Sequence, residues 1–148
     1  MQEVYSGNNE ANMLRYKYLK KIKNAYKTHD FSDLFSDLAE DCEWSGTQGK
    51  DNVIDKLKSH AESMEEKNYH HPCYIVQVNE SLSPIECNTK PDGTGKRVGL
   101  GLLYNEGEFC MIINFPWQQL FFRMDIAPNG KIKAFYATLP SGNVSLIE

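Results

Sequence analysis

The chain lacks most of the features that would commit it to a membrane, an export route or a metal. No apolar run approaches the length needed to cross a bilayer, so no helical membrane span is expected. The opening residues MQEVYSGNNEANM hold no apolar core segment, and a secretory leader is therefore not expected. Cysteine is scarce, at 4 in 148 residues, and no pair has CxxC spacing. Without a leader, Cys42, Cys73, Cys87 and Cys110 read as reduced, mostly buried thiols of a cytoplasmic protein. Basic residues number 16 against 20 acidic ones, for a net charge of −4. Their one concentration, RYKYLKKIK at residues 15–23, fits the wet face of a helix better than a groove for phosphates. Nucleic acid is not an expected partner. There is no internal repeat and no low-complexity tract to suggest a solenoid or a linker.

The length of 148 residues suits one domain spanning residues 1–148, long enough to bury a core without covalent staples. Hydrophobic residues make up 41% and aromatics 11%, enough to fill a core and line a cavity as well. From Asn12 to Lys27, Leu14, Tyr18, Leu19, Ile22, Ala25 and Tyr26 recur at helical spacing. Thr28 or Asp30 can cap a second helix, FSDLFSDLA, with Phe31, Leu34, Phe35 and Leu38 on one stripe. CEWS reads as a short strand. GKDNVIDKLKSHAESMEEK places Val53, Ile54, Leu57, Ala61 and Met64 on one face of a third helix.

The pattern then turns strand-like. CYIVQVNE (73–80) is one strand, and a loop is expected in SPIECNTKPDGTGK. RVGLGLLY (97–104) and EFCMIINF (108–115) flank NEGE as a hairpin. Pro116 predicts a bend at the sheet rim. QLFFRMDI (119–126) and KIKAFYATL (131–139) flank APNG, a strong hairpin signal. The order predicts an α+β fold: three N-terminal helices packed on a curved, mainly antiparallel sheet. Such a cone has a mouth suited to a small ligand.

Three stretches carry a family resemblance. THDFSDLFSDLAEDCEW, GKDNVIDKL and FFRMDIAPNGKIKAFYA resemble the second helix and first strand, the third-helix start and the closing hairpin of the NTF2-like superfamily. That superfamily includes SnoaL-like and ketosteroid-isomerase-like proteins. The resemblance covers roughly residues 12–139 and implies an NTF2-like cone; the fold hosts enzymes, binders and assembly modules alike. The isomerase branch needs a phenol, a base and a neutral acid. Ungapped alignment puts Ile22, Gly46 and Phe122 at those positions. With no base and no oxyanion donor, steroid isomerisation is not expected.

Four acids, Glu40, Asp41, Glu43 and Asp51, lie near Trp44. Glu40 and Asp41 read as a solvated junction, and Glu43 alternates with Cys42 and Trp44, so Trp44 is the better pocket candidate. Ile132, Ala134, Tyr136 and Thr138 are expected on the inner face of the last strand, beside Leu120, Phe122, Met124 and Ile126. Arg123, Asp125, Lys131 and Lys133 would then form a wet outer face with cross-strand charge pairs. His70, His71 and Cys73 have no second paired motif, so no metal or cofactor is expected. GLGL (99–102) lacks the context of a phosphate loop. NFPWQQLFF presents Trp117, Phe121 and Phe122 near a proline bend, as inner core or as a homodimer patch.

The expected function is binding of a small apolar or aromatic ligand by Ile22, Tyr26, Trp44, Phe122 and Tyr136. The alternatives are an enzyme of the same fold, with Tyr136, His60 or Glu43 in isomerase, cyclase or lyase work, and a homodimeric interaction module.

Overall fold

A computed structural model describes residues 9–78, 107–138 and 144–148. Helix α1 (Asn9–Thr28) forms over the first periodic stretch and buries Leu19, Ile22 and Ala25. Asp30 does not prolong it. Its carboxylate accepts the Ser32 N–H at 2.9 Å and opens a 3-10 helix, Ser32–Asp37, that buries Leu34. This second helix is shorter than expected, because Leu38 and Ala39 already belong to strand β1 (Leu38–Trp44). Strand β2 (Thr47–Gln48) follows, then helix α2 (Lys50–Lys67), which buries Val53, Leu57 and Met64. Asn68, in the left-handed conformation, ends α2 by donating its N–H to Glu65 and Met64 carbonyls.

The remaining strands are β3 (Cys73–Val78), β4 (Phe109–Asn114), β5 (Gln119–Ile126), β6 (Ile132–Thr138) and β7 (Val144–Leu146). They join β1 and β2 in one curved, mixed sheet, ordered β2-β1-β6-β5-β4-β3-β7 among the described residues. Every pairing is antiparallel except β1 with β6. Helix α1 packs on β3, β4 and β5, and α2 packs on β1 and β2. The fold is therefore α+β, with helical segments interleaved with the first two strands. No helix among the described residues is long and apolar enough to cross a membrane. The expected loop at 83–96, Cys87, the strand at 97–104 with Tyr104, and the GLGL stretch lie outside the described residues.

Two turns hold the rim. Phe115 and Gln118 exchange backbone hydrogen bonds at 2.9 and 3.2 Å, so Pro116 and Trp117 form a tight hairpin tip between β4 and β5. Gly130, at φ +86°, turns the chain between β5 and β6, and Asn129 accepts the Lys131 N–H through its side chain. The Tyr18 hydroxyl reaches the Gly130 carbonyl at 2.6 Å and ties α1 to that turn.

Three expectations about faces need correction. The β5–β6 register slips between Asp125 and Ile126, and strict alternation along β6 is lost. Past that irregularity Phe135 pairs with Met124 on the inner face, while Tyr136 pairs with Arg123 on the outer one. Tyr136 is therefore an outer-face residue, not an inner one. Arg123 is not wet: it is buried and donates two hydrogen bonds, of 2.5 and 3.0 Å, to the fully buried carboxylate of Glu108. Phe121, expected beside Trp117 in the inner core or on a homodimer patch, packs instead with Val76, Val78 and Cys110 in a second apolar cluster on the outer face.

The inner face holds the main core. Phe135 lies between Trp44, with ring centroids 4.7 Å apart, and Phe122, stacked at 4.8 Å with planes within 3°. Phe135→Ala is expected to cost about 3–5 kcal/mol, as for other large-to-small changes at fully buried aromatics. Tyr136→Ala should cost clearly less, because that ring is only partly buried. Urea denaturation of both variants checks the register. Equal losses would contradict the irregularity in β6.

Candidate ligand cavity

The elements converge on a cavity of about 430 Å³ at one end of the core. Helix α1 contributes Tyr26, α2 contributes Lys56, Leu57, Ser59 and His60, and the end of β1 contributes Trp44 and Ser45. The β4–β5 hairpin adds Phe115, Trp117 and Leu120, and β5 adds Phe122. Trp44, Phe122, Phe115 and Trp117 give it aromatic walls. Phe122 contacts Phe115, which stacks on Trp117, and Phe135, buried behind the wall, packs between Trp44 and Phe122. Trp117 is 64% exposed and stacks on Phe115 at 5.3 Å, forming the rim.

The polar groups are few and close together. Tyr26 Oη lies 3.2 Å from His60 Nε2. Burial raises the pKa of Tyr26, with a smaller push from Cys73, so the ring remains a phenol. Burial also lowers His60 to about 4, helped by the charges of His71, Lys56 and His29. Near neutral pH this is a neutral–neutral pair. Lys56 sits one helical turn before His60 and donates to the carbonyls of Trp44 and Ser45, each at 3.1 Å.

All four histidines of the chain gather near this end. His29 bonds Glu65 at 2.7 Å and the Tyr69 carbonyl at 3.0 Å, and His70 stacks on His29. His71 turns the other way, buried against Phe115 and Tyr26. Its Nδ1 has no well-aligned hydrogen-bond partner, and burial, the largest cause, lowers its pKa against an opposing backbone contact from His70. No group of three or more potential metal ligands occurs among the described residues. Cys73 donates to the His71 carbonyl, and burial pushes its thiol up to about 12. Cys42 and Cys110 are likewise buried free thiols with raised pKa, so none of the three is poised as a nucleophile.

Of the residues expected to bind ligand, Tyr26, Trp44 and Phe122 meet at this cavity. Ile22 is fully buried in the core without lining it. Tyr136 lies across the sheet, in an outer groove of about 650 Å³ with Asp41, Glu43, Asp125 and Lys133. There its hydroxyl accepts from Arg123 at 3.2 Å and donates to Asp125 at 3.4 Å. Glu40 and Asp41 are solvated, with long contacts to Lys50 and Lys133 at 3.9 and 4.0 Å. Lys56 and Phe115 were not among the expected site residues. The signal for Lys56 was its position four residues before His60 on the same helix face.

A larger, open cleft of about 680 Å³ lies on the other side of Tyr26. Lys20, Lys23 and Lys27 of α1 face His71, Cys73 and Tyr74 across it. Comparison with protein-family models gives no match to this chain, and comparison with curated protein sequences gives none.

The buried histidines predict an acid-sensitive fold. His60 stays neutral in the folded chain down to about pH 4, whereas its ordinary value is 6.5. Between these values the unfolded chain binds more protons, so stability falls as pH drops from 6.5 toward 4. The loss from this group is roughly 2 kcal/mol, discounted for its partial exposure. His60→Gln should flatten the fall in urea midpoint between about pH 7 and pH 4.5. An unchanged slope would show that His60 does not carry it.

Proposed function

We propose that the chain is an NTF2-like protein that binds a small apolar or aromatic molecule in the cavity between its helices and sheet. One observation carries the reading: Trp44, Phe122, Phe115 and Trp117 wall a cavity of about 430 Å³ whose few polar groups include the neutral Tyr26–His60 pair and Lys56. Volumes of this size, apolar walls and a few convergent polar groups are the usual properties of small-molecule sites. The topology supports the cone. Both helices contribute side chains to the inner-face core, and the cavity opens at its end.

Tyr26 and His60 supply an uncharged anchor. If the phenol donates to Nε2, the other ring nitrogen of His60 carries a hydrogen. If Nε2 carries it, the phenol is free to donate. Either arrangement suits a ligand carbonyl or hydroxyl. The same pair favours a second reading, an enzyme that uses His60. Glu43 and Tyr136 line the outer groove and give that reading no support.

Both tryptophans of the chain line the cavity, so intrinsic fluorescence reports on it directly. A neutral solvatochromic dye such as Nile red should bind with blue-shifted emission and quench the tryptophans. Trp117→Ala should weaken binding by about tenfold, the effect of losing one aromatic anchor. Tyr136→Phe should leave it unchanged. The absence of dye binding, or a loss with Tyr136→Phe equal to that with Trp117→Ala, would count against the cavity.

A homodimer through the exposed Trp117 belongs to the same proposal, resting on that ring without Phe121. Light scattering at roughly tens of micromolar, a range that captures ordinary affinities, should give twice the chain mass. A single-chain mass would remove it.

A further inference from the structure

We propose that the cavity's ligand carries a carboxylate, held by Lys56 while its apolar body lies against Trp44, Phe122 and Trp117. This rests on the reading of the cavity as a ligand site and adds the charge of the ligand.

Lys56 and His60 are one turn apart on α2 and line the same cavity. The Lys56 ammonium is fixed by two carbonyls of the β1 end, Trp44 O and Ser45 O. An ammonium has three donors, so one N–H remains. None of the residues lining the cavity is an acid. Lys56 takes part in no ion pair among the described residues, and no other residue lining the cavity carries a charge. A cation with only neutral carbonyls as partners, beside an aromatic wall, is incompletely compensated. The lowered pKa of Lys56, caused by burial, has the same origin.

A carboxylate would supply both the missing charge and the acceptor for the third N–H. Apart from the aromatic faces, which attract cations weakly at exposed sites, no group in the cavity lining favours a different charge. Tyr26 and His60 are neutral and engaged with each other. A cationic ligand would find no counter-charge and would meet Lys56. The cleft at Lys20, Lys23 and Lys27 is also basic, and it serves as the control.

Calorimetric titration of the full chain with naphthoate, naphthylmethanol and naphthylmethylammonium separates the possibilities. Naphthoate should bind about tenfold more tightly than naphthylmethanol, the scale of one charge-assisted hydrogen bond at a partly exposed site. The ammonium compound should not bind measurably. This comparison needs no variant and does not depend on how well a variant folds. Lys56→Met should then bring naphthoate and naphthylmethanol to equal affinity, and Lys56→Arg should retain the preference. Equal binding of naphthoate and naphthylmethanol would overturn the carboxylate inference and leave the cavity reading in place. No binding by either would overturn both. A preference that survives Lys56→Met, and is lost on joint replacement of Lys20, Lys23 and Lys27 by Gln, would put the anion in the cleft and overturn the inference.

Discussion

The stack of Phe135 between Trp44 and Phe122 is the contact on which the rest of the site depends. It joins β1 to the β5–β6 hairpin, which lies far from it in the chain. The β1–β6 pair is the single parallel pairing among the described residues, and Trp44 stands opposite Phe135 within it. One ring thus packs against both Trp44 and Phe122, two residues that line the cavity. The carbonyls of Trp44 and Ser45 that hold Lys56 are positioned by that same strand end. Ser45 also donates its N–H to the Phe135 carbonyl at 2.8 Å. Core packing and the polar groups of the site are therefore not separate features.

Element types were legible because periodicity alone specifies them. Residues 12–27, 49–67 and 119–126 fall within one to three residues of α1, α2 and β5. Faces were less legible. An irregularity in β6 reverses alternation, and nothing in IKAFYAT announces it: Phe135 and Tyr136 are both plausible inward residues. The outer apolar cluster did leave a trace. YIVQV, FCMII and LFF are apolar at consecutive positions, the pattern of strands buried on both faces. Reading alternation into β5 assigned Arg123 to water.

That outer face makes Arg123 expensive to bury and explains its partners. A guanidinium away from water needs a carboxylate and further acceptors. Glu108 supplies a two-bond pair, and Tyr136 and Asp125 extend it toward solvent. The pair joins the residue just before β4 to β5, and removing either partner would leave a buried charge uncompensated. The phenol of Tyr136 is thereby committed to the network, which is a physical reason to look for the ligand on the other face.

On the inner face burial holds the polar pair in its neutral form near neutral pH. A histidine held near 4 is a weak base at neutral pH, and a phenol with a raised pKa is a weak acid. General acid–base work is most efficient when such values approach the working pH, and burial moves both of these away from it. What would bring His60 back toward neutrality is an anion beside it, which opposes the desolvation that depresses it. The chain provides none in the cavity lining. A carboxylate arriving at Lys56, one turn away on the same helix, would be that anion. On the proposed reading, occupation of the cavity and the basicity of His60 would be coupled: a carboxylate that compensates the lysine would also raise the pKa of the histidine.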